Sequence, residues 1–169
     1  MAKKERDFNA PYRKEAAIPH ININPTQERS VHPSVMTVQR GVLDAGVVGD
    51  LVYPDVNIVE ISELNGADPL RVDFDFVGIE TLKTIFMFAH YEGGGTHFIC
   101  MEIELIVGGW EGCGLINLED DFLWYHFPVY FPERYVNAGA MKMRLRHIQN
   151  GVNSHDLFIN CLGVIHTTI

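Results

Sequence analysis

Leu70-Arg-Val-Asp-Phe-Asp-Phe76 alternates apolar and charged residues without a break, and Met141-Lys-Met-Arg-Leu-Arg-His147 does the same. Successive side chains of a β-strand point to opposite faces, so each stretch sends one apolar row inward and one charged row outward. An amphipathic helix would space its apolar residues three and four apart, and neither stretch does. Both are half-buried strands. Working outward, His97 to Val107 repeats the pattern, with Ile99, Met101, Ile103 and Leu105 on one face and Phe98, Cys100, Glu102 and Glu104 on the other. Thr81 to His90 reads as a strand with Leu82, Phe86 and Phe88 against Thr81, Lys83 and Met87. Leu157 to Ile165 is apolar on both faces, as a strand at the centre of a packed sheet must be. Leu115–Leu118 and Phe122–Phe127 are shorter runs, and Pro128 and Pro132 confine the chain beyond them to an edge or a loop. Seven or eight such strands with no convincing helix predict an all-β fold. The uneven connections favour an antiparallel β-sandwich of jelly-roll type over 55–169. Its expected core holds Phe74, Phe76, Phe86, Ile99, Met101, Ile103, Leu145 and Ile159.

The chain ahead of this domain differs in kind. Residues 1–40 carry seven Lys/Arg and four Asp/Glu, a net of +3; residues 41–169 carry six and eighteen, a net of −12. Pro11, Pro19, Pro25 and Pro33 punctuate the first part, and each blocks helix there. The reading is an extended N-terminal arm over 1–54 that lies on other subunits. Arg13, Lys14, Ile18, Ile21, Ile23, Val35 and Arg40 are its expected partner-binding residues, with cations meeting acidic rows such as Glu102 and Glu104 on a neighbour. Gly41 to Gly49 reads as linker.

Composition bounds the rest. A net charge of −9 argues against a nucleic-acid partner. No run of 18 uncharged apolar residues occurs, so no membrane partner is expected. Met1 to Arg13 lacks the apolar region of a secretory signal. Three cysteines without a Cys-x-x-Cys pair predict no disulfide framework.

Three constellations carry candidate chemistry. His90 and His97 flank one glycine turn, and His147 and His155 flank an Asn-Gly turn, so facing hairpins can gather imidazoles as a cupin-type metal site does. The paired His-x-His of that motif is absent, and strand-end capping is the simpler reading. Trp110 and Trp124, with Tyr91 and Tyr125, offer rings for stacking a sugar, against core or interface packing as the plainer role. Lys142, Arg144 and Arg146 form a basic row that pairs across strands with an acidic one. No catalytic residue, metal ligand or cofactor is assigned.

Phe74-x-Phe76, Tyr91-Glu-Gly-Gly-Gly-Thr-His97, Trp110 and Met143-Arg-Leu-Arg-His147 through His155-Asp-Leu-Phe-Ile159, in that order, resemble galactose-binding-like jelly-roll domains among structural proteins of tailed bacteriophages. The resemblance covers about 56–166 and leaves the arm uncovered. It implies a non-enzymatic virion component of capsid-decoration, neck or tail type, made in the host cytoplasm. Its partners would be copies of itself and other virion proteins such as the major capsid protein. The alternative is a carbohydrate-binding module or adhesin with Trp110 and Trp124 as ligand-stacking residues. A cupin-like metalloenzyme comes third.

Overall fold

A computed structural model describes residues 27–93, 97–117 and 121–168. Among these described residues eleven strands run in chain order: β1 (Glu28–Val31), β2 (Val35–Arg40), β3 (Val42–Ala45), β4 (Val59–Ser62), β5 (Arg71–Val77), β6 (Thr81–Glu92), β7 (Phe98–Glu104), β8 (Trp110–Asn117), β9 (Leu123–Pro128), β10 (Ala140–His147) and β11 (Asp156–Thr167). Two short 3-10 turns, Val48–Leu51 and Pro132–Arg134, are the helical elements among the described residues. The strands form two antiparallel sheets. One runs β3-β4-β11-β6-β9, with β1 also on β11; the other runs β2-β5-β10-β7-β8. Only the β3–β4 and β7–β8 connections stay within a sheet, and every other one crosses between layers. This is the antiparallel sandwich that the alternation predicts.

The core is the inward row of each strand. Phe74, Phe76, Ile99, Met101, Ile103, Leu145 and Ile159 all lie in it, as expected. β11 sits between β4 and β6, and its middle, from Ile159 to Val164, is buried on both faces. On the outer face of the five-stranded sheet, the basic row of β10 meets acids on both sides. Lys142 lies 3.5 Å from Asp75, Arg144 binds Glu102, and Arg146 lies 3.5 Å from Asp68.

Two expectations are corrected here. Phe86 is not in the core. In the β6–β11 ladder Leu82 opposes His166 and Thr84 opposes Ile165, which leaves Lys83 as an extra residue. A β-bulge flips the side-chain parity of everything beyond it. Leu82 therefore points inward, and so do Ile85, Met87, Ala89 and Tyr91, while Phe86 and Phe88 face outward.

The second correction concerns the arm. Residues 28–45 pair within this chain's own sandwich: β1 with β11, β2 with β5 and β3 with β4. Val35 opposes Asp75, and Arg40 opposes Arg71 and donates from Nε to the Asp68 carbonyl at 3.2 Å. Glu102, expected to meet a neighbour's arm, is taken by Arg144. The chain crosses from one sheet to the other at Gly41, whose φ of +107° and a would-be Cβ 2.9 Å from the Ser62 carbonyl require glycine. The stretch read as linker is thus strand and sheet crossing. Arg13, Lys14, Ile18, Ile21 and Ile23 lie outside the described residues.

Candidate functional site

Two clusters stand out, one buried and one exposed. The buried one closes an end of the sandwich. Glu63 comes just after β4, Tyr91 is the last residue but one of β6, His97 precedes β7, His147 ends β10 and His155 precedes β11. The Glu63 side chain is fully buried. One of its oxygens lies 2.6 Å from His147 Nδ1 and takes the Tyr91 hydroxyl at 2.6 Å. Its other oxygen accepts the Val152 backbone N–H at 3.4 Å. The Tyr91 oxygen also lies 3.3 Å from His155 Nδ1, and that nitrogen lies 3.2 Å from His97 Nδ1, so one of the two imidazoles donates to the other. Burial, then the Glu63 carboxyl, raises the Tyr91 hydroxyl above its ordinary value, so it stays protonated as a donor. Three of the four histidines expected to gather do so. His90 goes elsewhere, its ring stacked on Phe158 at 4.4 Å. Among the described residues no group of three or more His, Cys, Asp or Glu is arranged to hold a metal ion. This cluster ties five strand ends together.

The exposed cluster lies on the outer face of the six-stranded sheet, on the strands beyond the Lys83 bulge. Phe88 on β6 stacks on Trp124 of β9, with ring centroids 4.9 Å apart and planes at 23°. Phe86 lies 6.4 Å and His126 6.0 Å from the same indole. Phe122 touches both Phe88 at 5.1 Å and His90 at 4.4 Å. Trp124 is 42% exposed. The neighbouring part of the face, over β11, is occupied by the chain's own loop. His32 Nδ1 donates to the Leu162 and Leu51 carbonyls, and Asn160 Nδ2 donates to the Asp55 and Asn57 carbonyls. The ring row is therefore bounded on one side by His32, whose ring meets the Phe86 ring edge-on at 5.8 Å.

The two tryptophans read together from the sequence are not together. Trp110 pairs with Glu104 on β7, in the other sheet, and faces the opposite side of the molecule. Its ring carries the Arg144 guanidinium at 4.1 Å, and Glu102 holds that group in turn. Tyr91 is wholly buried, and Tyr125 packs its ring on Phe127 toward the core. The sequence reading missed Phe86 and Phe88 as surface residues, because only the bulge reveals their side, and it gave no side to Phe122, which precedes β9.

The sandwich has the fold of carbohydrate-binding modules. A family 29 carbohydrate-binding module matches at a TM-score of 0.53 with 13% identity, over 81% of this chain and 89% of that one. The family 32 module of C. perfringens NanJ, solved in complex with galactose, matches at 0.53 with 10% identity, over 83% of this chain and 100% of that one. A family 29 mutant complexed with mannohexaose matches at 0.52 with 10% identity, over 83% and 92%. No protein-family model and no curated protein matches the sequence. The galactose-binding-like jelly roll is thus right as a fold, but the virion role attached to it is overturned. The family 29 and family 32 modules named above share this architecture along nearly their whole length, and they are carbohydrate-binding modules.

The cysteines give this site's scaffold a pH signature. Burial, with Glu102 nearby, pushes the Cys113 thiol from 9.0 up to about 12, and burial pushes Cys161 from 9.0 up to about 11. Between those limits only the unfolded chain releases its thiol protons, so stability falls as pH rises above 9. The denaturation midpoint is expected to drop between about pH 8 and pH 11, and Cys113→Ala should flatten the decline. A midpoint constant across that range would contradict the burial of these thiols.

Proposed function

We propose that this chain binds carbohydrate without transforming it, using the aromatic row on the outer face of the six-stranded sheet. The observation that carries the reading is the contiguous set Phe86, Phe88, Phe122 and Trp124, displayed on a sheet face. A sugar ring presents apolar C–H faces that lie on aromatic surfaces, and its hydroxyls are met by a polar rim. Clustered rings at a surface are otherwise an unfavourable exposure of apolar area and mark an interaction site. The shared fold with carbohydrate-binding modules adds support. Trp124 is 42% exposed although Phe88 stacks on it, and so offers a better platform than the half-buried Trp110, whose face holds Arg144.

Glycan-array binding followed by calorimetry tests this. Trp124→Ala is expected to weaken the best glycan by about tenfold or more, in line with roughly 2 kcal/mol for a central aromatic contact. Trp110→Ala should leave affinity unchanged. Binding lost with Trp110→Ala and kept with Trp124→Ala would move the site to the other sheet. No glycan binding at all would end the proposal.

A further inference from the structure

The β9 strand does not end its outward row at Pro128. Phe127 and Val129 both pack toward the core, and the Val129 N–H donates to the Lys83 carbonyl at 2.8 Å, extending the ladder past the strand. Alternation then puts Trp124, His126, Pro128 and Tyr130 on one side. Tyr130 is 74% exposed. Its neighbour Phe131 is 64% exposed and sits at φ 58°, ψ 57°. That left-handed conformation is a genuine outlier for a bulky side chain. Burial of the ring does not compensate, because the ring is in solvent. Strain held at an exposed aromatic points to a role for the displayed group.

The tip is also rigid. Pro132 fixes the adjoining backbone, the Arg134 N–H donates to the Phe131 carbonyl at 3.0 Å, and the Ile106 N–H donates to the Arg134 carbonyl at 2.9 Å, fastening the loop to the β7–β8 hairpin. A rigid tip loses little freedom on binding.

We infer that Tyr130 and Phe131 are a second contact of the same glycan site, so the ligand is an uncharged linear glycan of several sugar units and not a single terminal sugar. The inference rests on the carbohydrate reading above. At about 3.3 Å per residue, Phe122 to Tyr130 spans roughly 26 Å, several sugar rings in length. The protein's net charge of −9 disfavours polyanionic chains.

The test is calorimetry of the full chain against an array of neutral mono- to hexasaccharides, mannohexaose among them. Affinity is expected to rise at least about tenfold from monosaccharide to hexasaccharide. Tyr130→Ala and Phe131→Gly should lower hexasaccharide affinity about tenfold and leave shorter ligands unaffected. Phe131→Gly should at the same time raise the melting temperature, because glycine accepts the left-handed backbone; a merely structural Phe131 would not yield weaker binding from a more stable protein. Length-independent affinity, or loop variants that bind the hexasaccharide normally while Trp124→Ala does not, would overturn the second contact and leave the sheet site standing. Failure of Trp124→Ala to weaken any glycan, or no binding by the array, would overturn both.

Discussion

Glu63→Ala is expected to remove about 3–5 kcal/mol of folding stability, the range for stripping one partner from a buried ionisable pair. The Glu63 side chain has no exposure, and four groups lean on it: the Tyr91 hydroxyl, His147, His155 and the Val152 amide. Without the carboxyl, the Tyr91 hydroxyl and His147 Nδ1 lose their 2.6 Å partner inside a fully buried cluster, and unmet buried polar groups are expensive. Urea denaturation at neutral pH gives the loss directly. The double variant with His147→Ala should lose less than the two single losses added, since each removes what strands the other. A Glu63→Ala loss under about 0.5 kcal/mol, the range of a surface change, would show that the cluster is not a structural tie.

Gly151→Ala should cost about 3 kcal/mol or more, at the upper end for forcing atoms into filled space. A Cβ there would fall 1.9 Å from Pro69 Cβ and 2.4 Å from the Leu64 carbonyl oxygen, so backbone must move. Gly151 and Gly66 also exchange backbone hydrogen bonds, at 2.8 and 3.2 Å, joining the loop before β5 to the loop before β11. Gly112→Ala is the control, since its Cβ would meet nothing within 4 Å. A melting temperature for Gly151→Ala equal to that of Gly112→Ala would refute the packing argument.

The contrast between β5 or β10 and β6 explains what was legible. In Leu70–Phe76 and Met141–His147 the two faces differ chemically, so alternation alone fixes which side is buried. Past Lys83 the sequence Ile85-Phe-Met-Phe-Ala89 is apolar on both faces, and a one-residue bulge there leaves no trace in hydrophobicity. The side of Phe86 was therefore misread, and with it the ring row. The convergence of His97, His147 and His155 was readable because turns place flanking residues at strand ends. Glu63 carried no local signal, since a lone acid after a short strand has many uses. Which sheet holds Trp110 and which Trp124 depends on strand order, a long-range property. The early strands β1 to β3 are short, with few buried residues, so proline punctuation outweighed their pairing.

The position of β9 at the rim of its sheet has a consequence for solubility. Leu123-Trp-Tyr-His-Phe127 contains no Asp, Glu, Lys or Arg, is rich in strand-forming aromatics, and among the described residues pairs along one edge alone, with β6. Such a strand is a template for aggregation. Its guards are Pro128, which offers no N–H at one end, and Glu119-Asp120-Asp121, which precedes it with three like charges. The rings that make the surface sticky for a ligand make it sticky for copies of itself, so neutralising those acids should precipitate the protein while its fold is still intact.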